Sequence, residues 1–246
     1  MHFKIITPLY NAEAWITACL RSVKVQDYEN FQCIVLDDLS TDNSAKIIKK
    51  EIEGDERFVF VENKEKALAL KNIYDGIELS NPAPEDIIVT LDGDDWLANK
   101  QVLSKLKQVY EETNCLITYG SYAEYPSGQR GKFAKQISDQ IIANKAFRQA
   151  PWCSSHLRTF KYKLWSKIKK EDLQEEDGRF CDGAWDLAFM FPMLEMAGTR
   201  SFYIKEILHI YNRANPLNED KVDHRKLLDS EMRIRHMKKY NLLEEI

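Results

Sequence analysis

The sequence predicts an α/β fold, a mostly parallel sheet flanked by helices, and three observations carry that expectation. From residue 1 to about 112, short apolar runs alternate with amphipathic segments, the order in which strands and crossover helices build a parallel sheet. Ile87-Ile88-Val89-Thr90-Leu91 has almost no polar interruption, as in a central strand buried on both faces. That run breaks into Asp92-Gly93-Asp94-Asp95-Trp96-Leu97, with its carboxylates at the strand's C-terminal end, where open α/β folds place their ligands.

The elements follow in order. Phe3 to Thr7 reads as the first strand, ended by Pro8, and Asn11-Ala12-Glu13 opens a helix whose Ile16, Leu20 and Val23 share one face. Cys33 to Leu36 is the second strand, stopped by Asp37-Asp38, and Ser40 to Ser44 supplies caps for a helix reaching about Glu51. Arg57 to Val61 is a third strand and Ala67 to Leu79 a third helix, closed by Asn81-Pro82-Ala83-Pro84 before the central strand. A helix carrying Val102, Leu106 and Val109 completes this half. Residues 1–112 are thus expected to form a nucleotide-binding half, Rossmann-like in pattern, and residues 113–246 the remainder of the same domain.

The second half is less regular. Cys115 to Tyr119 predicts a strand, Tyr125-Pro126-Ser127-Gly128 a turn, and Ile141 to Phe147 and Thr159 to Lys167 helices. Lys169 to Arg179 reads as a mobile charged loop and a candidate lid. Trp185 to Met196 predicts a helix interrupted by Pro192 and closed by Gly198, Tyr203 to Tyr211 a strand, and Asp220 to Tyr240 a long polar helix.

Composition narrows the partners. A net charge of -4 with scattered Lys and Arg gives no footprint for nucleic acid. No apolar run approaches the roughly 20 residues that a membrane span requires, and the N-terminus lacks a secretory pattern. The five cysteines are odd in number, widely spaced and without a C-x-x-C pair, as expected of thiols in a reducing, cytoplasmic compartment.

Like charges gathered at Asp92, Asp94 and Asp95 call for a cation, and oxygen-only ligands select a hard one, Mg²⁺ or Mn²⁺. Gly93 lets the backbone turn there or lets a ligand approach closely. Together with Ile5-Ile6-Thr7-Pro8-Leu9-Tyr10-Asn11 and Val35-Leu36-Asp37-Asp38-Leu39-Ser40-Thr41-Asp42, this stretch resembles, in order and spacing, the motifs of family 2 glycosyltransferases of the GT-A fold. The resemblance spans residues 3–97.

What the resemblance implies is a transfer, with inversion, of one sugar from a nucleoside-diphosphate donor, a UDP- or GDP-sugar first, to a saccharide, lipid-linked or protein acceptor. A divalent metal assists, and residues 113–246 bind the acceptor. Thr7, Pro8 and Tyr10 match positions that wall the base, and Asp37 or Asp38 matches the acid that accepts from a base N–H. The competing role for that pair is capping a helix. Asp94 matches the metal ligand, Asp92 holds the ribose or a metal-bound water, and Asp95 stands between support of the ligands and a helix cap.

Downstream the match loosens. Where the family commonly places Glu-Asp before an apolar helix, this chain has Cys181-Asp182-Gly183-Ala184-Trp185-Asp186, so Asp186 is the first candidate for general base and Asp182 the second. Trp185 is either an acceptor contact or core. After the last strand many members carry a histidine, but Ala214 or Asn215 stands here, leaving His209 as the candidate to replace it at the metal. His156 is a candidate acceptor contact, and Arg158 or Arg213 a diphosphate contact.

Two other classes compete with this reading. A D-x-D phosphohydrolase carries its motif near the N-terminus and not at a fourth strand. A non-catalytic nucleotide-sugar-binding relative would account for the altered base motif, and donor hydrolysis separates it from an enzyme.

Overall fold

Apolar alternation on both faces is what organises the sheet. In the computed structural model, which describes residues 1–218, 221 and 223–244, Phe3 and Ile5 of β1 (Phe3–Leu9) enter one hydrophobic cluster and Ile6 the other. Val89 and Ile88 of β4 (Ile87–Thr90) divide in the same way. One cluster is closed by α1 (Ile16–Lys24) and α4 (Val102–Thr113), the other by α3 (Leu68–Leu79) and α7 (Trp185–Ala197), giving helix, sheet and helix layers.

The remaining elements are β2 (Phe31–Asp37), α2 (Ser44–Glu51), β3 (Phe58–Glu62), β5 (Trp96–Leu97), β6 (Ile117–Tyr125), α5 (Asp139–Ala143), β7 (Thr159–Lys161), α6 (Tyr162–Trp165), β8 (Ser201–Asn212) and α8 (His224–His236). The strand order is β3-β2-β1-β4-β7-β6-β8-β5. β1 to β4 pair in parallel, β7 runs antiparallel to β4 and β6, and β5 runs antiparallel to β8. β7 therefore joins the first half of the chain to the second in a single sheet. This is a mixed, mostly parallel sheet flanked by helices, and among the described residues no helix is long and apolar enough to cross a membrane.

Several expectations need correction. Pro8 does not end β1, because pairing with β4 stops at Ile6, so the missing N–H costs no ladder bond there. Thr159 to Lys161 is a strand before a single helical turn, since its residues fill the gap between β4 and β6. Pro192 lies within a continuous α7, and only Asp139–Ala143 is helical near the segment expected over Ile141 to Phe147. The charged segment from Lys169 to Arg179 is anchored, with Leu173 buried, Gln174 bridged to Phe180, and Glu175 paired with Arg233 at 2.8 Å. The C-terminal helix begins at His224, and Asp220 lies outside the described residues.

Candidate active site

The ends of β1 and β4 open into a cleft of about 560 Å³. Its floor is set by a close approach: Gly93 donates its N–H to the Pro8 carbonyl at 3.0 Å, and a Cβ at Gly93 would stand 2.6 Å from that of Leu9. Only glycine lets the carboxylate turn fold this tightly against β1. The turn then divides its acids. Asp92 and Asp94 face the cleft, while Asp95 is buried behind them.

Burial first, then repulsion from Asp95, pushes Asp92 up to about 7 despite the Arg158 guanidinium, and burial raises Asp94 as well. Two cleft-facing carboxylates held this uncomfortably fit a hard divalent cation, whose charge would return both to the ionised form. Asn215 donates Nδ2–H to Asp94 Oδ2 at 2.6 Å while its own Oδ1 accepts from the Leu217 N–H. It fills the place after β8 where the resemblance expected histidine, and the sequence signal was its position rather than its type.

Asp95 is a support and not a helix cap. Its Oδ1 accepts the Asn212 N–H and its Oδ2 stands 2.8 Å from His209 Nε2, which locks the carboxylate turn to β8. His209, the expected metal contact, is fully buried in this pairing and is not on the cleft wall. Asp95, His156 and His209 bring ligand atoms within 4.8 Å of one another, with His156 Nε2 2.8 Å from Arg158 and His209 Nε2 2.8 Å from Asp95. Burial lowers His209 to about 3 and lifts Asp95 well above the carboxylate range.

At the base end, Pro8 and Tyr10 line the cleft and Thr7 does not, being wholly buried against Cys33. Asp37 is likewise buried and accepts from the Ser40 N–H. Asp38 reaches the cleft, with Oδ1 accepting from Ala67 N–H at 2.7 Å and Asn63 at 3.0 Å and Oδ2 from Leu68 N–H at 3.0 Å. It thus caps α3, where the sequence suggested the helix immediately following. Burial opposes its ionisation, but these donors outweigh burial and hold its carboxyl below the usual range. Lys66, for which the sequence carried no signal, stands 3.0 Å from the Tyr10 ring centroid and 3.4 Å from Asp38.

The far wall is built by β7 and α7. Arg158 is buried, donates to Asp186 Oδ2 at 3.0 Å and stands 2.8 Å from His156 Nε2. His156 Nε2 is in turn 3.9 Å from Asp92. Burial, followed by the charge of Arg158, holds His156 neutral. A polar chain therefore crosses the floor from Asp92 to Asp186. Burial raises Asp186, with Arg158 opposing, whereas Asp182 is paired with Lys226 Nζ at 2.6 Å. Trp185 lines the cleft and also packs against the core, 6.0 Å from the Phe189 ring centroid and 5.2 Å from the Arg158 guanidinium. Arg213 is not on the cleft wall and its N–H donates to Tyr125. Gly183 lets α8 close in, since a Cβ there would meet Ser230 Oγ at 2.6 Å, and α8 contributes Lys226 and its cap Asp223 to the rim.

Relatives agree with this architecture. Over 121 residues the chain is 36% identical to an uncharacterized glycosyltransferase of Haemophilus influenzae, covering 48% of this chain and 46% of that one. Over 221 residues it is 26% identical to glycosyltransferase GlyG of Streptococcus pneumoniae, covering 85% of this chain and 70% of that one. The chain thus spans under half the length of the Haemophilus relative, and 25% of pneumococcal GlyA. Staphylococcus aureus TarS 1-349 in complex with UDP-GlcNAc superposes with a TM-score of 0.67 at 16% identity, over 96% of this chain and 65% of that one. Glucosyl-3-phosphoglycerate synthase of Mycobacterium tuberculosis, in complex with Mn2+, UDP and glucosyl-3-phosphoglycerate, gives 0.64 at 13% identity over 97% and 81%. The model of Glycosyl transferase family 2 matches residues 4–171, and the chain belongs to that family.

Proposed function

We propose that the protein transfers one sugar from a nucleoside-diphosphate donor to an acceptor hydroxyl, with inversion. The observation that carries this reading is the placement of Asp92 and Asp94 and, at the other end of the same cleft, Asp186 held by Arg158. Residues 1–112 supply the donor end, through Pro8, Tyr10, Asp38, Lys66 and the two acids, and residues 113–246 supply the base and the acceptor wall. A UDP- or GDP-sugar is the favoured donor, since one structural relative was solved with UDP-GlcNAc and another with GDP-Man and Mn2+.

Asp94 and Asp92 would hold Mn²⁺ or Mg²⁺, which when bound supplies charge to the departing diphosphate. Asp186 takes the proton from the attacking hydroxyl at Oδ2, the atom Arg158 orients. Burial gives that carboxylate more proton affinity than an ordinary one, while the guanidinium opposes that rise by favouring the ionised form. Asp182 is the second candidate, paired with Lys226 from the rim at 2.6 Å. His156, held neutral, separates the two ends without adding charge between them. Asp95 and His209 act behind the wall by fixing the carboxylate turn. One displacement from the face opposite the diphosphate inverts the anomeric centre. Five free cysteines support a reducing, cytoplasmic setting.

The test is thermal unfolding with UDP, GDP or dTDP, each with and without Mn²⁺. A ligand that binds only the native state raises the melting temperature, so a nucleotide-selective rise that depends on Mn²⁺ is expected. No response to any nucleoside diphosphate would defeat the reading.

A further inference from the structure

The charges on the cleft wall are matched in a way that selects an acceptor. Three cations line it among the described residues, and each already faces a carboxylate: Lys66 with Asp38 at 3.4 Å, Arg158 with Asp186 at 3.0 Å, and Lys226 with Asp182 at 2.6 Å. The other lining carboxylates are Asp92 and Asp94 on the floor and Asp223 on the rim. Asp92 faces a neutral imidazole, Asp94 an amide and Asp223 a backbone N–H. The wall around Asp186 therefore presents hydrogen-bond acceptors and no spare cation. Beside them stands the one aromatic side chain at the start of α7, Trp185, half-buried and facing the cleft.

We infer that the accepting group is an uncharged saccharide ring, seated on Trp185 with its hydroxyls donating to Asp186 and Asp182, and not a phosphate-bearing polyol. A sugar has both faces this wall needs. Its C–H surface covers the indole, and its hydroxyls are donors for carboxylates that have acceptor capacity beyond their ion pairs. A phosphoester beside the reacting hydroxyl would have to break the Arg158 or Lys226 pair to gain a partner, and would stand against Asp182, Asp186 and Asp223. The donor's diphosphate meets no such obstacle, because its end of the cleft carries the two acids suited to a divalent cation.

This inference rests on the transferase reading, so its test separates the two. The full chain with Mn²⁺ is given UDP-GlcNAc, UDP-glucose or GDP-mannose, and release of the nucleoside diphosphate is followed with a panel of p-nitrophenyl glycosides, glycerol 3-phosphate and short glycerol phosphate oligomers. Transfer to a neutral glycoside is expected, with kcat/KM at least tenfold above any phosphate-bearing acceptor. Trp185→Ala is expected to raise the KM for that glycoside roughly tenfold, and Trp185→Phe to recover most of the loss. A preference for the phosphate-bearing acceptors overturns the acceptor class and leaves the transferase intact. Donor hydrolysis with no transfer to any glycoside also counts against the acceptor class. Absence of donor turnover under all conditions overturns both.

Discussion

Nη1 of Arg158 stands 3.0 Å from Oδ2 of Asp186, and Nη2 of the same guanidinium stands 2.8 Å from His156 Nε2. One buried cation thus fixes the proposed base and the imidazole that separates it from Asp92. The planar fork makes both contacts at once from fixed positions, where an ammonium would present one compact charge on a flexible stem. Arg158→Lys is expected to fold and to lose roughly tenfold or more in kcat for transfer, because Asp186 is then held by a single flexible charge. Arg158→Met leaves Asp186 without its cation and should cost up to about 3 kcal/mol of stability, below the full buried-pair value because Asp186 keeps some solvent access. Urea unfolding and steady-state kinetics on the two variants check this, and wild-type kcat in Arg158→Lys would remove Arg158 from the mechanism.

Asp186→Asn is expected to lower acceptor transfer by roughly 10² or more with donor affinity nearly unchanged, since only proton acceptance is lost. Burial raises Asp186, so it protonates at a higher pH than an ordinary carboxylate, and activity should fall as pH drops through that raised value. The acidic limb of kcat/KM against pH is therefore expected at a higher pH than an ordinary aspartate would give. Should Asp182→Asn show this loss while Asp186→Asn does not, the two roles are exchanged.

Asp94→Asn is expected to weaken Mn²⁺ binding by at least tenfold while leaving the fold intact, because Asp94 faces the cleft and not the core. Asn215→Ala, which removes only the hydrogen bond that holds Asp94, should have a smaller effect in the same direction. Manganese titration followed by electron paramagnetic resonance reads both without any turnover. Equal affinity in Asp94→Asn and wild type would refute the assignment.

Asp38→Ala should destabilise the fold by about 3 kcal/mol, because the N–H groups of Ala67 and Leu68 and the amide of Asn63 lose their shared acceptor at the start of α3. Asp38 ionises more readily in the folded chain than in the unfolded one. Its contribution is therefore present above the ordinary carboxylate range and fades as pH falls through its lowered value. Urea midpoints of wild type and variant should converge in that acidic window, and a constant gap across it would contradict the capping role.

The parallel half was readable in the sequence because its strands are buried on both faces, so apolar runs such as Ile87 to Thr90 announce themselves. Asp92 and Asp94 follow from that run, at whose C-terminal end they stand, whereas Asp186 is a candidate only through the family resemblance and its place at the head of an apolar helix. The sequence predicts helix over Thr159 to Lys167 because the three-residue strand Thr159 to Lys161 has no period to detect, and only its neighbours β4 and β6 define it. Which acids face the cleft was equally hidden. Thr7 and Asp37 carry motif-like identities but are buried off the cleft wall, Asp37 against the Ser40 N–H, and His209 is committed to Asp95 across 114 positions of sequence. Lys66 and Lys226 belong to no motif, and tertiary approach alone brings them to the wall.

The central claim is a single displacement by a nucleotide-sugar transferase, and the anomeric configuration of the first product tests it most directly. Proton NMR of the reaction with an α-linked nucleoside-diphosphate sugar, Mn²⁺ and a neutral glycoside acceptor should show the transferred sugar appearing first with the β-anomeric coupling. A first product that keeps the donor's α configuration would contradict the account.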